Sequence, residues 1–184
     1  MFTMKALGAC ALLGTLCLGQ PSQAATILTE THTITARGAG SVGYSTFSVG
    51  SAGMYSMYTM GPTLDPELFL FADLNSDGIL DASDTLVGHD DDSCPYSLCG
   101  PAGRFSNSLI ETVLSVGSYI LAVSDFNFSE AEARAGSNNN NMTGDVTLVV
   151  NSLPAVPLPA GLPLLATALG GAGLLRRSKR RKTA

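Results

Sequence analysis

The sequence predicts an all-β protein, an antiparallel β-sandwich of about eight short strands, preceded by a signal helix and followed by a single transmembrane helix. Three observations lead there. Short segments rich in Thr, Val, Ile, Tyr and Phe alternate with Gly, Pro, Asn and Asp, which is strand and turn chemistry. The stretch between the apolar ends is polar and rich in Gly, Ser and Thr, a composition common among extracellular β proteins. Leu68–Phe71 and Tyr119–Val123 are apolar on both faces, as expected of central strands covered on either side.

The strands follow in order. Thr26–Ala36 puts Thr29, Thr31, Thr33 and Thr35 on one face and His32 and Ile34 on the other, a period of two. Further strands are expected over Tyr44–Val49, Met54–Met60, Leu68–Phe71, Thr85–Gly88, Leu109–Leu114, Ser118–Ser124 and Asp145–Val150. Glu130–Ala135 has room for one helical turn, and Asn138–Asn141 reads as a polar, flexible loop.

The ends are built for targeting. Met1–Lys5 carries one positive charge, Ala6–Leu18 is apolar, and Ser22-Gln23-Ala24 offers small residues to a signal peptidase. Residues 1–24 are therefore expected to leave as a signal peptide, and Cys10 and Cys17 with them. An α-helix over Leu158–Leu175 would reach about 27 Å, enough to cross a hydrocarbon core once. Arg176, Arg177, Lys179, Arg180, Arg181 and Lys182 follow and should stay cytoplasmic, which places residues 25–154 outside the inner membrane.

Val156-Pro157-Leu158-Pro159-Ala160, the span and the arginine-rich terminus together resemble the VPLPA variant of PEP-CTERM sorting signals, over residues 155–184. The resemblance implies processing by an exosortase of a Gram-negative bacterium. The precursor is then anchored transiently in the inner membrane, and the product goes to the cell surface or the medium. Prolines at this point hold an extended, protease-accessible backbone and add nothing to an anchor. A plain tail anchor is the alternative.

The exported part, residues 25–154, is acidic. All 15 Asp and Glu lie between Glu30 and Asp145, against Arg37, Arg104 and Arg134, so nucleic acid is a poor partner. Cys94 and Cys99 are its only thiols, and an oxidising compartment predicts a disulfide that pins an exposed loop rather than stapling the fold.

One constellation carries chemistry. In Asp73-Leu74-Asn75-Ser76-Asp77-Gly78-Ile79-Leu80-Asp81-Ala82-Ser83-Asp84, oxygen-bearing side chains stand at positions one, three, five, nine and twelve, with glycine at six. That spacing suits Ca2+, a hard cation taking about six to eight oxygens. Asp73, Asn75, Asp77, the Ile79 carbonyl, Asp81 and Asp84 are the expected ligands, with Leu80 packed beneath. Asp84 in place of a final Glu makes the loop resemble the dockerin-type variant. The flanking segments are too short and β-prone for EF-hand helices, so the loop is placed between strands. Asp90, Asp91 and Asp92 either complete a second site or solvate a turn.

Asp65-Pro66-Glu67-Leu68-Phe69-Leu70-Phe71, Asp90-Asp91-Asp92 and Val116–Val123 resemble the pre-peptidase C-terminal type of β-sandwich. That resemblance implies a jelly-roll-like, non-catalytic module. No HExxH, serine elbow or triad is present, and with two histidines a hydrolase has little support. The expected role is a calcium-stabilised protein of the cell surface or extracellular matrix. The alternative is a module binding exopolysaccharide through Tyr44, Tyr55, Tyr58 or Tyr96.

Overall fold

The computed structural model describes residues 24–61, 63–100, 107–139 and 142–154. The expected signal helix, the transmembrane span and the motif Val156–Ala160 lie outside the described residues.

Among the described residues eight strands form: β1 (Ala25–Ile34), β2 (Gly43–Val49), β3 (Gly53–Met60), β4 (Pro66–Asp73), β5 (Thr85–Asp90), β6 (Leu109–Leu114), β7 (Gly117–Asp125) and β8 (Gly144–Ser152). Two short helices interrupt them, α1 (Tyr96–Cys99) and α2 (Glu130–Ala135). α2 starts at a capping box, in which the Ser129 hydroxyl accepts from the Glu132 N–H and the Glu132 carboxylate accepts from the Ser129 N–H.

The strands make two antiparallel four-stranded sheets, ordered β1-β8-β3-β6 and β2-β7-β4-β5. Strand β1 pairs with β8, β2 with β7, β3 with β6 and β4 with β5. This is the pairing of one long hairpin folded over on itself, the jelly roll.

Alternation decides which face is which. Along β2, Ser45, Phe47 and Val49 point inward while Tyr44, Thr46 and Ser48 face out. The core between the sheets gathers Ile34, Met57, Leu68, Leu70, Leu121, Val123, Leu148 and Val150. The doubly apolar strands are covered on both sides, as their sequences imply. Phe69 and Phe71 of β4 and Ile120 and Ala122 of β7 turn away from the core, into a second cluster closed by Val42, Phe128 and Ala133 of α2. The edge strand β1 exposes Thr29, Thr31 and Thr33, and the Thr31 and Thr33 hydroxyls bond across to Thr147 and Asp145 of β8 at 2.8 and 2.7 Å.

Cys94 and Cys99 form the expected disulfide, with Cα atoms 6.2 Å apart. Tyr96 and Leu98 of its loop are exposed, but both cysteines are buried against Tyr58 and Val149 on the outer face of the first sheet. The bridge thus supplies apolar cover as well as pinning a connection. Cys94→Ser/Cys99→Ser is expected to cost about 2 kcal/mol in lost loop-closure entropy, plus the cover it removes, and a denaturant titration under oxidising conditions measures it.

Asn138 departs from the loop expectation. It is buried, its side-chain amide donates to the Ser124 hydroxyl and the Asp125 carbonyl at 2.8 Å each, and its backbone N–H donates to Ser41. The first residue of the polar run meets acceptors at the end of β7 and just before β2, and is anchored there.

Candidate metal centre

The loop expected to hold calcium lies where the sequence put it, as the β4–β5 connection. Asp73 is the last residue of β4, and Thr85 opens β5. Ser76 at φ +57° and Gly78 at φ +74° make the sharp turn, and glycine adopts that left-handed backbone without a Cβ penalty.

Side chains satisfy most of the loop's backbone N–H groups. Asp73 Oδ2 accepts from Gly78 N–H at 3.0 Å, and Asp77 Oδ1 from Ile79 N–H at 2.8 Å. Asp84 ties the loop shut, with Oδ1 accepting from Leu74 N–H at 3.2 Å and Oδ2 from Asp81 N–H at 2.9 Å. Asn75 donates to Asp77 Oδ2 at 2.9 Å. Asp81 accepts from the Ser83 hydroxyl and N–H, which holds its carboxyl below the usual range.

Arg134 of α2 braces the loop from below. Its guanidinium lies 4.9 Å from the centre of the Phe71 ring, pairs with Glu130 at 2.8 Å, and donates to the backbone carbonyls of Asp81 and Asp84. The loop's carboxylates are thus left without a guanidinium partner from this residue. Leu80 packs beneath against the second cluster, as expected, while Ile79 is exposed.

The fit to a cation rests on Asp73. This residue is buried, and Oδ1 has no hydrogen-bond partner although Oδ2 is engaged. A bare buried carboxylate oxygen is costly unless a positive charge meets it. The remaining ligands are less gathered: no three of Asp73, Asp77, Asp81 and Asp84 bring carboxylate oxygens within 4.8 Å of one another.

The trio that does so among the described residues sits at the other end of the same hairpin. Asp65, just before β4, and Asp91 and Asp92, just after β5, each place an oxygen within 4.8 Å of the others. Register explains the meeting: Leu68 pairs with Asp90, so the residues preceding β4 face those following β5. Asp125 joins them, accepting from Asp65 N–H at 2.9 Å, and the buried Glu67 accepts from Phe128 N–H. Asp65 was visible in the sequence only as part of a strand motif. Nothing local marks it as a partner for residues so far along the chain.

Burial, then repulsion among Asp65, Asp91, Asp92 and Asp125, raises the Asp65 carboxyl to about 6. Burial, partly offset by the Phe128 hydrogen bond, raises Glu67 to about 7. Both lie above their unfolded values of 3.8 and 4.5, so between those limits the native state binds more protons than the unfolded one. Cation-free protein should therefore lose stability as pH rises from 5 to 8. Urea midpoints at the two pH values check this, and Glu67→Gln, which keeps an acceptor for Phe128 N–H, should flatten the difference.

Other expected site residues fall elsewhere. Tyr55 and Tyr58 are buried and offer no sugar-stacking face. Tyr96 is exposed, and Tyr44 is partly exposed with its hydroxyl donating to the Ala133 carbonyl. His89 is exposed, with its ring tilted 34° against Phe69, ring centres 4.2 Å apart. His32 turns inward from β1, so close to β2 that a Cβ on Gly43 would lie 2.7 Å from its ring.

Fold and site together define a jelly-roll β-sandwich with an acidic loop at one end of the β4–β5 hairpin and a carboxylate trio at the other. Among solved structures, the chain is similar to the pre-peptidase C-terminal domain of a collagenase from Bacillus anthracis, at 13% identity and a TM-score of 0.42, over 67% of this chain and 88% of that one. No family model matches the chain, and no curated protein does.

Proposed function

We propose that the chain is an exported, non-catalytic protein of the cell surface or extracellular matrix, stabilised by calcium at Asp73, Asn75, Asp77, Ile79, Asp81 and Asp84 and released from its C-terminal anchor by an exosortase. The observation that carries the calcium part is the buried, unpartnered Asp73 Oδ1 at the first position of the loop. Sorting is supported by Val156-Pro157-Leu158-Pro159-Ala160 followed by an apolar run and six basic residues.

The arrangement closest to a nucleophile supports a non-catalytic role. His32 Nε2 lies 2.8 Å from Ser45 Oγ, and Ser45 Oγ donates to Glu30 at 2.7 Å. In a working triad the carboxylate orients the far nitrogen of the imidazole. Here Glu30 accepts the serine's hydrogen bond and approaches the same Nε2 at 3.9 Å, and Ser45 is buried between the sheets. The trio is a hydrogen-bonded bridge between β1 and β2.

Expression of the full chain in a Gram-negative host with and without an exosortase tests the sorting. Intact mass should show a C-terminus within residues 156–160 only when the enzyme is present. Protein that keeps its basic tail in both hosts would overturn this reading in favour of a plain anchor.

A further inference from the structure

We propose that Asp65, Asp91 and Asp92 form a second calcium site, at the end of the β4–β5 hairpin opposite the loop. The two ends are separated by the length of β4, eight residues, or about 26 Å, so the sites would bind independently.

Three observations carry the proposal. One oxygen from each of the three carboxylates lies within 4.8 Å of the others, close enough for a single ion to touch all three. Asp65 is only 9% exposed, and its Oδ1, like Oδ1 of Asp91, is buried with no hydrogen-bond partner. Such oxygens are stabilised by a proton or by a cation, and three carboxylates in contact have no donor among themselves once ionised.

The neighbouring backbone donors are engaged elsewhere: Asp65 N–H donates to Asp125, and Ser93 and Leu109 N–H both donate to Asp90. The Ser108 hydroxyl is met by the carbonyls of Pro66, Asp90 and Asp91, and it has one proton to share among the three. No lysine lies among the described residues; of the described arginines, Arg37 and Arg134, the latter is committed to Glu130 and to the Asp81 and Asp84 carbonyls beside the loop, and His89 of β5 offsets part of the charge on Asp91.

The donor set selects the ion. All three groups are hard carboxylate oxygens, and both cysteines of the described region are tied in the disulfide, which disfavours the softer transition metals. Asp92 is exposed, so water can complete the shell, and the flexible six-to-eight-oxygen geometry of calcium tolerates a site made from two chain segments.

Titration calorimetry of the full chain with calcium chloride tests it. Wild type should bind two ions. Asp73→Asn/Asp77→Asn should bind one, and that one should vanish when Asp65→Asn and Asp92→Asn are added. The exposed Asp92→Asn alone, which should leave folding intact, is expected to weaken one of the two wild-type sites at least tenfold. If Asp65→Asn/Asp92→Asn binds as many ions as wild type, with unchanged affinities, the second site is overturned. It is overturned equally if Asp73→Asn/Asp77→Asn binds none. Failure of the loop reading looks different: Asp73→Asn/Asp77→Asn would then keep every ion that wild type binds.

Discussion

Chelation of divalent cations is expected to lower the unfolding free energy of this protein by several kcal/mol. A ligand at one hundred times its dissociation constant stabilises the native state by about 2.7 kcal/mol per site, and two independent sites would roughly double that. Asp73 gives the effect a sign that a general salt response lacks. Its Oδ1 is buried and unpartnered while Oδ2 holds the Gly78 N–H. Asp73→Asn removes the charge and can retain an acceptor for that N–H. The variant should therefore match or exceed wild type in chelator and fall below it in calcium. Urea unfolding of both proteins under both conditions measures the crossover. Magnesium at the same concentration should stabilise less, because it dehydrates reluctantly and demands near-octahedral geometry. A wild-type midpoint that is identical with calcium and with chelator would remove calcium from the account of this fold.

Leu121→Ala is expected to cost about 3–4 kcal/mol, within the usual range for a leucine deleted from a packed core. Leu121 is completely buried near the middle of β7, opposite Ser45 of β2 and Leu70 of β4, and its side chain points between the sheets. Neighbours held by two ladders cannot collapse into the space, so the cavity persists. Total stabilities of about 5–15 kcal/mol make this loss a large share. Val113→Ala on the edge strand β6, 67% exposed, is the matched control and should change stability by less than about 0.5 kcal/mol. Denaturant midpoints with an unchanged slope would assign the difference to packing rather than to a change in the unfolded state.

The sequence by itself determined the eight strands, each found with its ends shifted by no more than two residues, and the single helical turn at Glu130–Ala135. It also placed the Asp73–Asp84 loop between strands and paired Cys94 with Cys99. These features are local: alternation, turn residues and cysteine spacing act over a few residues, so they are written where they operate. Tertiary structure alone decided what lies across a ladder or between layers. Leu68 opposite Asp90 brings Asp65 to Asp91 and Asp92. The fold of the first sheet buries Tyr55 and Tyr58 and seats the disulfide on its outer face. The end of β7 gives Asn138 its partners at Ser124 and Asp125. Register and layer packing join residues far apart in the chain, and a one-residue slip of β3 would turn Tyr55 and Tyr58 to the other face. For that reason the loop could be read from spacing, whereas the carboxylate trio at the opposite end of the hairpin could not.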